Sequence, residues 1–372
     1  MKALSPGYIF ETIFWITKGV DKKPELTAQS INGKKSEKKV VTSDRRVIPG
    51  QRCRVKIASV GKKSITVKYL GLAEFSLQKD IYVSPTMLKQ FETLLCSGRS
   101  ILLDGPQGTG KTTIASALAE SLGMEYVFFN CSICFEPSDF VGSLQLLVGK
   151  DGKAKTEWVP TDVLSAIYQA HEHPGKRFLI FLDEFNRCRS YALNGIMSAI
   201  DSSKRIFDPK KNCYIGIPDN IQWIAAINNG KQFFGTYKID VAQLDRFAVL
   251  KVDYPPAPKE IAILKQRYDM VKPKHIKKVV DIASQIRREE SILTDLSMRS
   301  TDEACMFLSY PTNHRSLSND NLIDILKTSF CNRLPGSVGD EGSEADIAFK
   351  IIERLVRLDT AANHKKSDTT NV

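Results

Sequence analysis

One eight-residue stretch limits the folds open to this chain more than any other feature. Residues 105–112 read GPQGTGKT, which is a complete GxxxxGKT phosphate-binding loop. The apolar run 101–103 before it predicts a buried strand, and the alanines and leucines of residues 113–122 predict a helix after it. A strand, this loop and a helix in that order predict an α/β fold with a parallel sheet that binds a nucleotide.

Each part of the loop has a predicted role in holding phosphate. Glycines let the backbone N–H groups curl around the phosphates, the Lys111 amine reaches the β- and γ-phosphates, and the Thr112 hydroxyl ligates Mg²⁺. The helix that follows directs the partial positive charge of its N-terminus at the same anion. The predicted nucleotide-binding residues are Gly105, Pro106, Gln107, Gly108, Thr109, Gly110, Lys111, Thr112 and Thr113.

A second segment places two carboxylates beside this loop. The uninterrupted apolar run 178–182 predicts a strand covered on both faces, and it ends in Asp183 and Glu184. The carboxyl ends of parallel strands border the ligand crevice. We therefore predict that Asp183 binds nucleotide and Mg²⁺, while Glu184 polarises the water that attacks the γ-phosphate.

Composition narrows the class of protein. The 42% apolar content suits a globular chain, and no segment has the ~18 consecutive apolar residues of a membrane-spanning helix. Residues 8–16 predict a packed amphipathic helix. Eight scattered cysteines suggest reduced thiols and a cytoplasmic protein without a membrane partner. The pair Cys131 and Cys134 leaves a zinc or redox role as the lesser alternative to buried thiols.

The positive charge is concentrated near the N-terminus. Residues 1–70 hold 16 Lys/Arg and 5 Asp/Glu, a net of +11, whereas the rest of the chain is balanced. Lysine-rich residues 20–46 predict a flexible arm, and alternating apolar and basic residues over 47–77 predict a hairpin of a small β-barrel. Its basic face has two interpretations, a solvated surface or a contact with nucleic acid or acidic protein.

These patterns divide the chain into five predicted parts, an assignment that rests on changes in periodicity and charge. They are an N-terminal helix and basic flexible arm (1–46), a small basic β domain (47–82), a nucleotide-binding core (83–256), a helical lid (257–360) and a disordered tail (361–372).

Three further motifs resemble one branch of the AAA+ ATPases, the MoxR-like and dynein-related branch. Residues 183–187 (DEFNR) resemble its DExNR signature, residues 226–229 (AINN) its sensor 1 segment, and residues 242–247 its AQLDRF motif. Two stretches, 144–159 and 205–217, resemble hairpins that face the central pore or the client in that family, although both could also be inert decoration.

The resemblance implies a homo-oligomeric ring, usually a hexamer, with ATP bound between subunits. It further implies that Asn228 positions the attacking water beside Glu184 and that Arg246 reaches the γ-phosphate of the neighbouring subunit. Sensor 2 corresponds best to Arg299, with Arg315 as the competitor.

Three functions are compatible with these features. The preferred one is an ATP-driven remodelling motor or chaperone acting on a client protein, for which the resemblance implies a von Willebrand factor A-type domain. The main alternative is a nucleic-acid-associated ATPase, similar to the McrB-type restriction subunit, that contacts DNA or RNA through the basic N-terminal region. A small-molecule kinase is the third, and the intersubunit motifs argue against it.

Overall fold

The structure is a computed structural model that describes residues 6, 9–18, 24–31, 34–43, 47, 52–72, 81–148, 154–229, 237, 239–310 and 317–368. Its described parts form an N-terminal β-sheet, an α/β core and a C-terminal group of helices. None of the described helices is long and apolar enough to cross a bilayer.

The N-terminal sheet has six strands in the order β1-β5-β6-β4-β3-β2. They are β1 (Ile9–Ile13), β2 (Trp15–Lys18), β3 (Pro24–Ile31), β4 (Lys34–Thr42), β5 (Arg52–Val60) and β6 (Ser64–Leu72). The inward side chains of β5 and β6, which the alternating pattern predicted to be apolar, are buried and form the centre of a small core.

Two predictions about the N-terminal region are wrong. The described parts of the predicted helix (8–16) and flexible arm (20–46) are strands, so the small β domain begins near residue 9 rather than at 47. The physical reason is the shared core: Phe14, Ala28 and Val40 are buried against the β5–β6 hairpin. A two-stranded hairpin alone is marginally stable in water, and these strands cover its apolar face.

The core contains a five-stranded parallel sheet in the order β15-β7-β14-β11-β8. The strands of this sheet are β7 (Ile101–Gly105), β8 (Glu125–Asn130), β11 (Phe178–Asp183), β14 (Ile221–Asn228) and β15 (Ala248–Lys251). Two antiparallel hairpins are inserted between them, one formed by β9 (Gly142–Val148) and β10 (Ala154–Pro160) and the other by β12 (Arg205–Asp208) and β13 (Cys213–Gly216). The helices of the core are α1 (Pro85–Ser97), α2 (Lys111–Leu122), α3 (Asp162–Glu172), α4 (Ser190–Ile200) and α5 (Val241–Leu244).

The central strands of this sheet are buried on both faces. All five residues of β7 are buried, as are the apolar residues of β11 and nearly all of β14. Two separate apolar clusters cover the two faces, as a parallel sheet requires. The phosphate-binding loop follows β7 and Asp183 ends β11, so both lie at the carboxyl edge of the sheet.

Five helices follow the core and pack around their own apolar cluster. They are α6 (Ala257–Arg267), α7 (Pro273–Arg288), α8 (Met298–Ser309), α9 (Asn319–Ser329) and α10 (Glu344–Asp368). Inside the group, buried Glu260 binds Arg287 at 2.7 Å and accepts a hydrogen bond from the Thr301 hydroxyl at 2.7 Å. Helix α10 runs to Asp368, so the predicted disorder of the tail is wrong for residues 361–368, and residues 369–372 lie outside the described ones.

The cysteine pair of the sequence prediction lies in the interior of the core. Cys131 and Cys134 are buried beside Cys188, whose Sγ is 3.7 Å from the Cys134 carbonyl oxygen. Among the described residues no group of three His, Cys, Asp or Glu side chains has the geometry to hold a metal ion. The arrangement is that of buried free thiols.

Candidate nucleotide-binding site

A pocket of about 280 Å³ lies at the carboxyl edge of the parallel sheet, between the core and the helices that follow it. The core lines it with loop residues 107–114 and with Asp183, Glu184 and Asn228. The helices line it with Ile263, Leu264, Arg267, Met298, Arg299 and Asp302, and the segment before the core with Ile81 and Tyr82. The lining thus combines the backbone N–H groups and charged side chains of the core with apolar and aromatic side chains such as Ile81, Tyr82 and Ile263.

The phosphate-binding loop depends on glycine at two positions with left-handed backbone. Gly108 has φ +75°, and a Cβ there would lie 2.5 Å from the Cβ of Ser297, the residue that precedes α8. Gly110 has φ +85° and forms the N-cap of α2, and no side chain at this cap accepts a hydrogen bond from the first turn. The free N–H groups of that turn therefore face the pocket.

The Lys111 amine is buried and held by the loop itself. Its Nζ donates hydrogen bonds to the carbonyl oxygens of Gly105 at 2.9 Å and Pro106 at 2.7 Å, and the residue is 6% exposed. Burial lowers the pKa of Lys111 to about 8, and the nearby carboxylates of Asp183 and Asp104 partly oppose this shift. The amine is therefore a desolvated cation placed where a phosphate oxygen can replace the loop carbonyls as its partner.

This pKa predicts how nucleotide affinity changes with pH. Phosphate binds the charged amine, so binding raises its pKa, and affinity is expected to fall as the pH rises through about 8, by up to about tenfold per pH unit. Titration with a fluorescent nucleotide analogue at pH 7 and pH 9 measures the effect. A Lys111→Arg variant stays charged over this range, so its affinity should not follow the same curve. Equal pH dependence in both proteins would exclude Lys111 as the titrating group.

Thr112 and Asp183 form a small set of oxygen ligands. The Thr112 hydroxyl donates to Asp183 Oδ2 at 3.1 Å, and the Glu184 backbone N–H donates to Asp183 Oδ1 at 2.9 Å. Mg²⁺ prefers oxygen ligands and is commonly held by one or two carboxylates together with substrate phosphates. The two side chains present therefore fit Mg²⁺, with phosphate and water supplying the remaining ligands.

Glu184 has an unusual backbone conformation. Its φ of 51° is in the left-handed region, which costs a non-glycine residue of order 1–3 kcal/mol. Its side chain pairs with Arg187 across 3.3 Å between Oε1 and Nη1. The turn directs the carboxylate into the pocket, and Arg187, to which the sequence prediction gave no role, orients it.

Asn228 is positioned by a second asparagine that the sequence prediction did not single out. Asn186 Nδ2 donates to the Asn228 carbonyl oxygen at 2.9 Å, and the Asn228 backbone N–H donates to Asn186 Oδ1 at 3.2 Å. These reciprocal bonds join the end of β14 to the turn after β11. Asn186 belongs to the DEFNR motif, which was the available signal for its importance.

The loop is also tied to the helices on the other side of the pocket. The Tyr254 hydroxyl donates to the Gln107 carbonyl oxygen at 2.9 Å, and the Arg287 guanidinium lies 4.7 Å from the centre of the Tyr254 ring. Arg299, in the first turn of α8, lines the pocket. Its competitor Arg315 lies outside the described residues.

Arg246 is a predicted site residue that does not line this chain's own pocket. It precedes β15, whose Ala248 pairs with Ile101 at the start of β7, so it lies at the amino edge of the sheet. Its Nε donates to Asp201 at 3.3 Å and its Nη1 to the Ala242 carbonyl at 2.6 Å. The length of β7, roughly 16 Å for five residues, separates it from the phosphate-binding loop.

Residues 100–247, which contain the loop, the two carboxylates, the paired asparagines and Arg246, match the AAA domain of the dynein-related subfamily. Residues 100–247 are an AAA domain, and the chain is an ATP hydrolase. The match confirms the predicted family branch, the α/β fold class and the prediction of an ATP hydrolase. Nucleotide binding follows from membership of the family.

Proteins similar to this chain include two from staphylococci. An uncharacterized protein of Staphylococcus saprophyticus subsp. saprophyticus is 24% identical over 202 residues, which cover 54% of this chain and 73% of that protein. An uncharacterized protein of Staphylococcus aureus strain NCTC 8325 is 25% identical over 202 residues, which again cover 54% of this chain and 73% of that protein. Among solved structures, the Thermotoga maritima RuvB P216G mutant has a TM-score of 0.46 and 15% identity, covering 68% of this chain and 73% of that one.

Proposed function

We propose that this AAA+ ATPase forms a homo-oligomeric ring, a hexamer, that hydrolyses ATP between subunits to remodel a client protein. The position of Arg246 carries the proposal. Within one subunit this arginine lies across the sheet from the nucleotide pocket. If it acts on nucleotide, it acts on that of a neighbour, in a head-to-tail arrangement that closes into a ring.

In the proposed mechanism, the loop first fixes the substrate. The N–H groups of residues 108–112 and the Lys111 amine hold the phosphates of ATP. Thr112 and Asp183 would hold Mg²⁺, which would neutralise charge on the phosphates. Ile81, Tyr82 and Ile263 line the pocket and supply apolar and aromatic surface suited to the base. Binding is therefore shared between the core and the helices that follow it.

Hydrolysis then needs a base, a water position and a positive charge. We assign these roles to Glu184, which accepts the proton of the attacking water, to Asn228, which orients that water, and to Arg246 of the neighbouring subunit. Arg299 approaches the same phosphates from α8. The Asn186 and Arg187 contacts hold two of these side chains in place before the substrate arrives.

The β9–β10 hairpin has a surface suited to a protein client. Leu144, Leu146 and Val148 alternate along β9 and are each 68–69% exposed, so one face of the strand presents apolar side chains. Contiguous exposed apolar side chains mark interaction surfaces. This supports the hairpin as the client contact, and a protein with a von Willebrand factor A-type domain is the candidate client. The buried thiols of Cys131, Cys134 and Cys188 form no disulfide, in keeping with a cytoplasmic ring.

Affinity capture tests the remodelling function. A Glu184→Gln variant is expected to retain ATP and therefore to hold a client long enough for it to be identified. The capture is performed with magnesium–ATP and repeated with ADP, each with and without nuclease. We expect a protein that is retained with ATP, released with ADP and unaffected by nuclease.

A second variant locates the contact. Leu144→Gln combined with Leu146→Gln, in the Glu184→Gln background, should lose the client while nucleotide binding is retained. The matched control is Tyr214→Gln, an exposed aromatic residue of the other hairpin. Proteins lost on nuclease treatment, with nucleic acid retained, would replace the client function with the nucleic-acid motor.

A further inference from the structure

The N-terminal sheet closes on itself through its first strand. β1 pairs with β5 at one edge and β2 pairs with β3 at the other, and only Phe14 stands between β1 and β2. Phe14 is fully buried, so the segment is one bent strand that joins both edges. The six-stranded sheet is thus a closed barrel of five strands.

The strand order of this barrel is that of an oligonucleotide-binding fold. With β1 and β2 taken as the first strand, the barrel order is 1-2-3-5-4-1, and the third and fifth strands, β4 and β6, pair in parallel while the other pairs are antiparallel. In such barrels the second and third strands, with the loop between the fourth and fifth, form the ligand surface. Here that surface corresponds to β3, β4 and residues 61–63.

Lysines converge at this surface. Lys38 Nζ donates to the Gly61 carbonyl oxygen at 3.0 Å, and the Lys39 backbone N–H donates to the Lys63 carbonyl oxygen at 3.3 Å. Lys62 and Lys63 are exposed in the turn itself. The Lys38 amine is therefore held at the loop that carries Lys62 and Lys63, and the backbone of β4 at Lys39 lies against the same loop.

The outer face of β5 and β6 extends this positive surface. Lys56 and Lys68 stand directly opposite each other, both are exposed, and no ion pair joins either to another described residue. Like charges opposite each other in an antiparallel pair are destabilising. A ligand that supplies several negative charges along the face would offset this repulsion. The acidic residues of the six barrel strands are Glu11, Glu25 and Glu37, none of which belongs to β5 or β6.

We infer that the barrel binds the phosphate backbone of single-stranded nucleic acid through Lys38, Lys39, Lys62 and Lys63, with Lys56 and Lys68 extending the path. Topology and charge point to the same ligand: the barrel type binds oligonucleotides, and the lysines suit a chain of phosphates. This binding is a property of the N-terminal barrel that goes beyond ATP hydrolysis and does not depend on it.

Fluorescence anisotropy on the full-length protein tests the inference. The probes are labelled 20-nucleotide oligo-dT and oligo-U, titrated over a series of salt concentrations. Lys62→Ala combined with Lys63→Ala is expected to weaken binding by about tenfold at low salt. It should also lower the slope of log Kd against log salt by about 1.4, since each phosphate contact on a single strand contributes about 0.7.

Matched variants test whether binding depends on these lysines or only on the overall positive charge of the protein. Lys272→Ala with Lys274→Ala removes the same charge from exposed lysines at the start of α7 and should leave binding unchanged. Lys111→Ala, with its nucleotide site disabled, should bind the oligonucleotides as the wild type does. The inference is overturned if no binding occurs at 50 mM salt, if the two double variants behave alike, or if polyglutamate competes as well as oligo-dT.

Discussion

Replacing Arg246 with alanine is expected to lower kcat by about 10³-fold while ATP affinity stays close to that of the wild type. The reason is position: the side chain lies at the amino edge of the sheet, bonded to Asp201 and Ala242, and does not line its own pocket. Its removal deletes positive charge from a neighbour's transition state and leaves ground-state contacts in place. Steady-state hydrolysis and equilibrium nucleotide binding measure the two quantities.

Subunit mixing decides where Arg246 acts. An Arg246→Ala subunit keeps its own pocket, and a Glu184→Gln subunit keeps its arginine. Each variant alone should be inactive, but an equimolar mixture forms interfaces that pair an intact pocket with an intact arginine. Random head-to-tail assembly makes roughly a quarter of the interfaces complete, so activity should return to about that fraction of the wild type.

Two controls make this experiment specific. Arg205→Ala removes an exposed arginine of β12 and should leave turnover unchanged. Arg246→Lys retains the positive charge but lacks the planar guanidinium group, so we expect only partial activity from this variant. A mixture that assembles but stays inactive would show that the arginine does not complete a neighbouring site, and the ring mechanism would lose its main support.

Glu184→Gln should reduce kcat by about 10²- to 10⁴-fold, the usual contribution of a general base. The amide keeps the size of the side chain and accommodates the same turn, but it cannot accept a proton from water. ATP affinity should hold because Lys111, Thr112 and Asp183 are untouched. Single-turnover hydrolysis, measured beside equilibrium binding, separates the two effects.

Two comparison variants test whether the effect is specific to Glu184 and whether its role differs from that of Asp183. Glu172→Gln makes the same chemical change at the exposed end of α3 and should have no effect. Asp183→Asn should weaken binding in a magnesium-dependent way, unlike Glu184→Gln, because it removes a charged ligand. Turnover of Glu184→Gln within threefold of the wild type would require a different base.

The core could be predicted from the sequence because its signals are local. The phosphate-binding loop lies within eight residues, and apolar runs such as 178–182 are covered on both faces, so composition alone identifies the strands. The position of nearly all the core residues that line the pocket follows from one rule, that the carboxyl ends of parallel strands meet at one edge of the sheet.

The N-terminal barrel could not be predicted in this way. Lysine-rich residues 34–39 have the composition of a flexible segment, yet they form part of β4, whose apolar partners come from strands far along the chain. The bonds between Asn186 and Asn228 are equally non-local, since 42 residues separate them. The distance of Arg246 from its own pocket, by contrast, follows from the same rule as the ligands, because a residue that precedes a parallel strand lies at the amino edge of the sheet.

The closure of the barrel by its bent first strand affects how the protein can be divided. A cut at residue 46, the boundary that composition favoured, would remove the strands on both flanks of β5 and β6. The buried side chains of Val55, Ile57, Ile65 and Val67 would lose their cover, and two unpaired strand edges would be open to other chains. Shortened forms of this protein should therefore begin either before Ile9 or after the whole barrel, near residue 81.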